Sequence, residues 1–268
     1  MLTDAPDHYE IEVTMTDLTG KKGLVVGIAN EDSIAWACAR AFHASGAELA
    51  ATWHTERLRP HVEPLLQQLG VSIQMPLDVA DDAQLQALFD AIEQRWGRLD
   101  FLLHSIAFAP KQDLHGRVVD SSRDGFLKAM DVSCHSLMRL TRLAEPLMTH
   151  GGSVMTMSYI GGEEVIPHYG LMAPVKAALE SSVRYLAVEL GAAGIRVNAI
   201  SPGPIVTRAA SGLPDLGALI EDSQRRMPMR RALTIDDVGP LCAFLASDNA
   251  AAITGTTQYV DGGFHVLN

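Results

Sequence analysis

The chain has 268 residues, 47% of them hydrophobic, and a formal net charge of −11. That apolar content is enough for a sizeable core in a single α/β domain, and the acidic balance argues against a nucleic-acid surface. No run reaches transmembrane length, the first residues lack a basic-then-apolar signal, and the ten histidines show no metal-ligand spacing, so no membrane span, secretion signal or metal site is expected.

Residues 1–16 are aperiodic and acidic, and read as a flexible extension ahead of one domain over 17–268. Residues 23–27 form an apolar run with strand character. A loop over 28–33 leads to a helical pattern over 34–45, ended by Gly46. A second strand is expected over 47–53, a helix over 55–69, a third strand over 71–75 and a helix over 81–96. A fourth strand is expected over 101–104, then one long helix over about 122–149 and a fifth strand over 153–158. A helix that opens near Tyr169 and Lys176 should run to about 190. Strand six is read at 195–200, a Pro/Gly-rich loop with a helical piece at 202–232, a helix at 234–247 and a last strand at 257–260. Short, continuously apolar strands alternating with helices imply a Rossmann-like, doubly wound parallel sheet of about seven strands with helices on both faces. Cys38, Cys134 and Cys242 are far apart and lie in helical apolar patterns. They read as buried free thiols in a reducing, cytoplasmic setting.

Such a sheet binds ligands beyond the carboxyl ends of its strands, where the strand order reverses. Gly27 can make the tight turn after strand one, though a full G-x-G-x-x-G is absent. Ser33 either presents its hydroxyl and N–H to a pyrophosphate at a helix N-terminus or simply caps that helix. Strand two ends at Thr52, Trp53 and His54, with neither a carboxylate for a ribose hydroxyl nor an arginine for a 2′-phosphate. This leans to NADH and leaves NADPH open. Asp78 and Val79 follow strand three and suit an adenine amino group, while Asp81 is the better cap for the next helix. Ser105, Ile106 and Ala107 lie in a small, apolar stretch where a nicotinamide ribose would sit.

Tyr169 and Lys176 are seven residues apart. On one helix that is roughly 700°, so the two would share a face with about 10 Å of rise between them. The ammonium could hold a ligand and lower the phenol's pKa, and the phenol could donate to a developing oxyanion. The alternative is a tyrosine at the core edge and a solvated lysine. Pro174 stands between them and is tolerable only in the first turn or so of a helix.

The pattern Tyr159-x9-Tyr169-x6-Lys176 resembles that of the divergent short-chain dehydrogenase/reductases, specifically the bacterial enoyl-acyl-carrier-protein reductases of the FabI type. The stretches Gly27-x5-Ser33-Ile34-Ala35, 104–110, 202–207, 234–238 and 260–264 agree with it in order and spacing. Ordinary superfamily members pair Tyr-x3-Lys, whereas Met172 stands four before Lys176 here. The resemblance implies hydride transfer from NADH to the β-carbon of a trans-2-enoyl thioester in fatty acid biosynthesis, with Tyr159, Tyr169 and Lys176 as the catalytic set. It further implies cofactor contacts from Gly27, Ser33, Ile34, His54, Asp78, Val79, Ser105, Ile106, Ala107, Lys176, Ile205 and Thr207. Ala109, Tyr159, Tyr169 and Met172 would line the substrate, and 202–232 would close over it. An acyl carrier protein as partner and a homotetramer are implied as well; a carbonyl or enoyl-coenzyme A substrate is the alternative. The stretch 209–219, usually basic in the family, carries no Lys or Arg; only Arg208, Arg225, Arg226, Arg230 and Arg231 flank it.

Overall fold

Seven short apolar runs become the strands of one parallel sheet in this computed structural model, which describes residues 16–207, 210 and 216–267. The sheet order is β3-β2-β1-β4-β5-β6-β7. The strands are β1 (Lys22–Val26), β2 (Glu48–Trp53), β3 (Ile73–Pro76), β4 (Phe101–His104), β5 (Gly152–Met157), β6 (Ile195–Pro202) and β7 (Thr257–Val260). Interior strands such as β1 and β5 are buried at nearly every position because both faces are covered. The register sets Leu24 beside Ala50 on one side and Leu102 on the other.

Two groups of helices cover the sheet. One includes α1 (Ile34–Ala44) and α9 (Gly239–Ala246), which pack on each other. The other includes α3 (Asp82–Trp96), α5 (Arg123–Met130), α6 (Ser136–Ala144) and α7 (Met172–Gly191). The shorter α2 (Arg59–Gln68) and α4 (Lys111–Leu114) lie between strands, and α8 (Leu216–Arg226) follows β6.

Several boundaries differ from the sequence reading. The helix expected over 122–149 is interrupted by a π-helical stretch, Asp131–His135, between α5 and α6. There the Ser136 hydroxyl donates to Val132 O at 2.7 Å, and the wider turn points serines inward at 133 and 136, both fully buried. The helix expected over 234–247 begins only at Gly239, after a 3₁₀ turn with a Thr234/Asp237 capping box. Pro240, lacking an N–H, sits in its first turn, where none is needed. Helix α7 begins at Met172, which places Pro174 in its first turn and leaves Tyr169 ahead of the helix. Cys38, Cys134 and Cys242 are free and buried, as expected. The acidic stretch 1–15 lies outside the described residues.

Candidate active site

The chain crosses from β3 to β4 on the far side of β1, so the crevice at the carboxyl ends of β1 and β4 is the topological switch point. Gly27 ends β1 with φ 108°, and a Cβ there would lie 2.3 Å from the Ser105 carbonyl oxygen. Only glycine lets the loops after β1 and β4 approach this closely. Ser33 occupies the N-cap of α1, but its side chain does not cap the helix. Its hydroxyl donates to Asn30 O at 2.7 Å and closes the loop instead, so the helix's opening N–H groups keep no side-chain partner from the cap residue. Ile34 is half-buried behind it, and Ala35 packs fully into the core.

On the β2–β3 side, His54 and Asp78 face each other at 3.8 Å, the histidine largely exposed and the aspartate half-buried. Asp81 caps α3 through the Ala83 and Gln84 N–H groups, as expected. Asp78 is not left free by this: its carboxylate accepts from the Ala80 N–H at 2.9 Å. Val79 is buried. Arg59 is held by Glu63 at 3.2 Å, with Glu56 at 3.8 Å, so it is not poised for a 2′-phosphate.

On the β4–β5 side, the loop after His104 carries half-buried Ser105, Ile106 and Ala109 and exposed Ala107. Its conformation is set by a residue that spacing alone did not single out. Ser133, from the π-helical stretch, accepts from the Phe108 N–H at 2.8 Å and donates to the Phe108 carbonyl at 3.0 Å. His104 itself is fully buried between Thr156 and Ser136 hydroxyls, each at 2.8 Å. Burial, and then the charge of Lys176, pushes its pKa down to about 3, so it stays neutral.

Tyr159 leaves the end of β5 and meets Tyr169, with ring centroids 4.7 Å apart and planes tilted by 57°. Gly161 makes this possible, since a Cβ there would lie 2.5 Å from the Tyr169 ring. Tyr169 is flanked by two left-handed residues, His168 (φ 65°) and Gly170 (φ 54°). A non-glycine residue held there stores strain of the kind found at functional sites. The two tyrosines thus meet each other, but Tyr169 and Lys176 do not share the helical face the spacing predicts, because a loop carries Tyr169. Lys176 is 4% exposed, and its Nζ donates to the Met157 carbonyl at 2.7 Å. Burial lowers its pKa to about 8.

The expectation that Lys176 lowers the Tyr169 phenol is not met. Burial, then the neighbouring Tyr159 and Glu180, push Tyr169 far above the ordinary tyrosine range. Tyr159 is pushed up to about 12 by burial alone, and its hydroxyl is buried without a partner among the described residues. Both phenols are therefore neutral donors, and the Tyr159 hydroxyl is an orphan that a ligand oxygen would satisfy. Met172 is buried in the first turn of α7.

Past β6, Ile205 is buried, and the Thr207 hydroxyl accepts from the Ala210 N–H at 3.0 Å. Arg208 and most of 209–215 lie outside the described residues. The end of α8 is anchored below: Met227 packs against Gly262, Pro228 against Gly263, and Arg226 lies 4.9 Å from the Phe264 ring centroid. Arg231 is clamped by Asp237 at 2.6 and 2.9 Å. Arg225 and Arg230, with Glu221 and Gln224, line an open groove of ≈ 590 Å³. Two acidic residues, Glu180 and Glu163, were also missed. Glu180, 3% exposed, lies one turn after Lys176 on α7, and the Ser158 hydroxyl donates to its carboxyl. Helical spacing from Lys176 could have found Glu180; nothing in the sequence pointed to Glu163, whose carboxyl meets that of Glu180.

The chain as a whole is similar to known proteins. The family model described as Enoyl-(Acyl carrier protein) reductase matches residues 27–265. The chain is 47% identical over 256 residues to the enoyl-acyl-carrier-protein reductase (NADH) FabI of Nostoc sp., covering 94% of this chain and 99% of that one. It resembles the solved enoyl-acyl-carrier-protein reductase of Anaplasma phagocytophilum in complex with NAD, at TM-score 0.89 and 45% identity over 94% of each chain. A Bacillus cereus enoyl-acyl-carrier-protein reductase with NADP+ and indole naphthyridinone gives TM-score 0.91 and 45% identity, covering 94% of this chain and 98% of that one.

Proposed function

The chain belongs to the enoyl-acyl-carrier-protein reductase family, and on that premise we propose how its own residues carry out the reduction. Its activity is the family's: an oxidoreductase of the FabI type that saturates an enoyl thioester on acyl carrier protein in fatty acid biosynthesis, with NADH as reductant. The observation that supports the residue assignment is the pairing of Tyr159 with Tyr169 just past the end of β5, the strand whose last carbonyl, at Met157, accepts from Lys176, beside the switch point.

The residues present fit the dinucleotide. The close approach at Gly27 leaves backbone exposed to a pyrophosphate, and α1 opens without a side-chain cap at Ser33. Asp78 and Val79 would meet the adenine. Lys176 would hold the nicotinamide ribose, and Ile205 and Thr207 the carboxamide and pyrophosphate. When bound, NADH supplies the hydride that goes to the substrate's β-carbon. Negative charge then develops on the thioester oxygen, where Tyr169 donates a hydrogen bond as a neutral phenol. The orphan Tyr159 hydroxyl orients the same group from the other side. Lys176, with a pKa near 8, is the more acidic of the three and the better proton source. Ala109 and Met172 line the acyl side, and 202–232 closes over it, pivoting on the anchored segment 227–229.

The remaining expectations are of the same kind. A homotetramer is supported by exposed apolar side chains on α5 (Phe126, Leu127), on α7 (Tyr185, Val188) and at the C-terminal end (Val266, Leu267). A cytoplasmic location accords with three free thiols and with the absence, among the described residues, of any helix long and apolar enough to cross a membrane. The deciding assay is reduction of a crotonyl thioester followed at the nicotinamide absorbance, with NADH and NADPH and with carrier and coenzyme A forms. NADH oxidation with the enoyl substrate is expected; activity on a ketone or alcohol alone would overturn the reading.

A further inference from the structure

A loop carries Tyr169, so its hydroxyl is aimed by whatever holds the backbone on either side of it. Gly170, its neighbour at φ 54°, is pressed against α4: a Cβ there would lie 2.8 Å from the Leu114 carbonyl oxygen and 3.5 Å from that of Gly116. Tyr169 is thus wedged. Gly161 and Tyr159 lie against its ring, and the carbonyls at the end of α4 lie against the residue that follows it.

Helix α4 is one turn long, closed by the Asp113 and Leu114 N–H groups, which donate to the Pro110 carbonyl at 3.0 and 2.9 Å. A single turn has no stability of its own, so its place depends on what it is tied to. Lys111 and Gln112 are exposed, whereas Asp113 is 4% exposed. One oxygen of its carboxylate accepts from the Ser122 N–H, at the N-cap of α5, at 2.6 Å. The other lies against Gly125, where a Cβ would come within 2.0 Å of it. The Ser122 hydroxyl meanwhile accepts from the Gly125 N–H at 3.0 Å, so the cap of α5 is intact. The Asp113 carboxylate is therefore seated on the opening turn of α5, the end of a helix where negative charge is favoured. The Ser122 N–H holds its pKa below the usual carboxylate range, so it is ionised near neutrality.

We propose that Asp113 is a positioning residue for Tyr169: its carboxylate, docked on Ser122 and Gly125, fixes α4, and the Leu114 carbonyl then sets the backbone at Gly170 that aims the phenol. The proposal rests on the enoyl reductase reading above. Asp113 acts only through other residues, and no bond or proton changes at it. The link is short. Asp113 precedes Leu114 in the chain, Leu114 meets Gly170 across space, and Gly170 follows Tyr169 in the chain.

Such a link makes the defect selective. Ser133 holds the Phe108 N–H and carbonyl ahead of α4 by its own contacts, so the loop over 105–109 keeps its place when Asp113 is lost. The donor to the developing oxyanion does not, and a misplacement on the order of 1 Å at a reacting centre can cost about 10²-fold. Gly125 offers a second handle on the same contact. An alanine there drives its methyl group into the carboxylate and leaves Asp113 itself in the chain.

The test measures crotonyl-coenzyme A reduction by the full chain with NADH, for Asp113→Ala and Gly125→Ala, each alone and combined with Tyr169→Phe. Each variant alone should lose about tenfold in kcat while the Kd for NADH, read by fluorescence, stays within about twofold. In the Tyr169→Phe background the further loss should shrink to about twofold or less, because the group being aimed is gone. An equal loss in both backgrounds makes Asp113 a packing group and overturns the proposal. Unchanged kcat overturns it too, as does an NADH affinity that falls as far as kcat. Should Asp113→Ala not fold, Gly125→Ala decides on the same criteria. A readout without turnover is ¹⁹F NMR of the protein labelled with 3-fluorotyrosine, the Tyr169 resonance being the one lost in Tyr169→Phe. Asp113→Ala or Gly125→Ala should shift it while the resonance of Tyr185, exposed on α7, stays in place; an unmoved Tyr169 resonance refutes the link. A wild-type protein that fails to reduce the enoyl thioester while the variants do shift that resonance overturns the functional reading and leaves the link from Asp113 to Tyr169 standing.

Discussion

At the scale of single residues, the site works by burial more than by charge. Tyr169 and Tyr159 are held neutral because desolvation penalises a phenolate, so their value lies in donating hydrogen bonds. Tyr169→Phe keeps the ring contact with Tyr159 and removes the proposed donor to the enolate. Turnover should fall by as much as about 10²-fold while the Kd for NADH stays nearly constant; unchanged turnover on a short enoyl thioester would remove Tyr169 from the mechanism. Lys176→Ala should weaken both NADH binding and rate, as cofactor titration by fluorescence would show. The intact lysine has a pH signature. Burial lowers its pKa from 10.5 to about 8, so the free enzyme loses the ammonium above that pH. The kcat/KM profile should fall on the alkaline side with a limb near 8, which Lys176→Ala abolishes. His104 leaves its mark on stability. Its folded pKa of about 3 lies below the ordinary imidazole value of 6.5. The unfolded chain therefore takes up the proton first, and stability drops as pH falls from about 6.5 toward 3.

At the scale of elements, the β4–β5 side depends on where helices are made irregular. The π-helical stretch between α5 and α6 is what turns Ser133 toward the Phe108 backbone and Ser136 toward His104. Ser133→Ala would leave the backbone of Phe108, a residue 47% exposed, without this partner, a loss on the order of 0.5–1.5 kcal/mol. It should lower Tm and raise the KM for NADH together, because the loop over 105–109 is the proposed ribose wall. The turn before α7 is equally exacting. Gly161→Ala places a methyl group 2.5 Å from the Tyr169 ring, which cannot be absorbed without moving that ring. It should cost turnover well beyond its effect on thermal stability; parallel losses in both would mean that Gly161 serves the fold alone.

At the scale of the whole molecule, net charge −11 repels an acidic carrier at long range, so docking needs a local basic patch. The arginines flanking α8 are not equivalent. Arg231 is spent on Asp237, and Arg226 packs over Phe264 with Asp222 3.6 Å away. Arg225 also pairs with Asp222, at 3.1 Å, but its side chain is 77% exposed and it shares a groove with Arg230. Arg225→Glu combined with Arg230→Glu should raise the KM for an enoyl-carrier substrate in a salt-sensitive way and leave enoyl-coenzyme A nearly untouched. Equal responses would place docking elsewhere. The exposed apolar faces of α5 and α7 predict a tetramer by light scattering, and a monomer at micromolar concentration would contradict it.

The apolar runs, their spacing and the turns between them determined the parallel sheet, its strand count and the switch-point location of the site, because strand burial and crossover handedness are local consequences of pattern. The family resemblance carried by the motif spacing is what pointed to Tyr159, Tyr169 and Lys176 as the proposed set. The helical face expected to be shared by Tyr169 and Lys176 did not form. Pro174 delays α7, so two left-handed residues, and not a helical face, aim Tyr169. The tertiary structure alone decided the charge states, since burial depth sets them and burial is a property of the whole packing. It also decided the company each group keeps: Ser133 against a loop 25 residues away, and Glu163 against Glu180 across a turn. Such pairings join elements that are distant in the chain and leave no periodic trace in it.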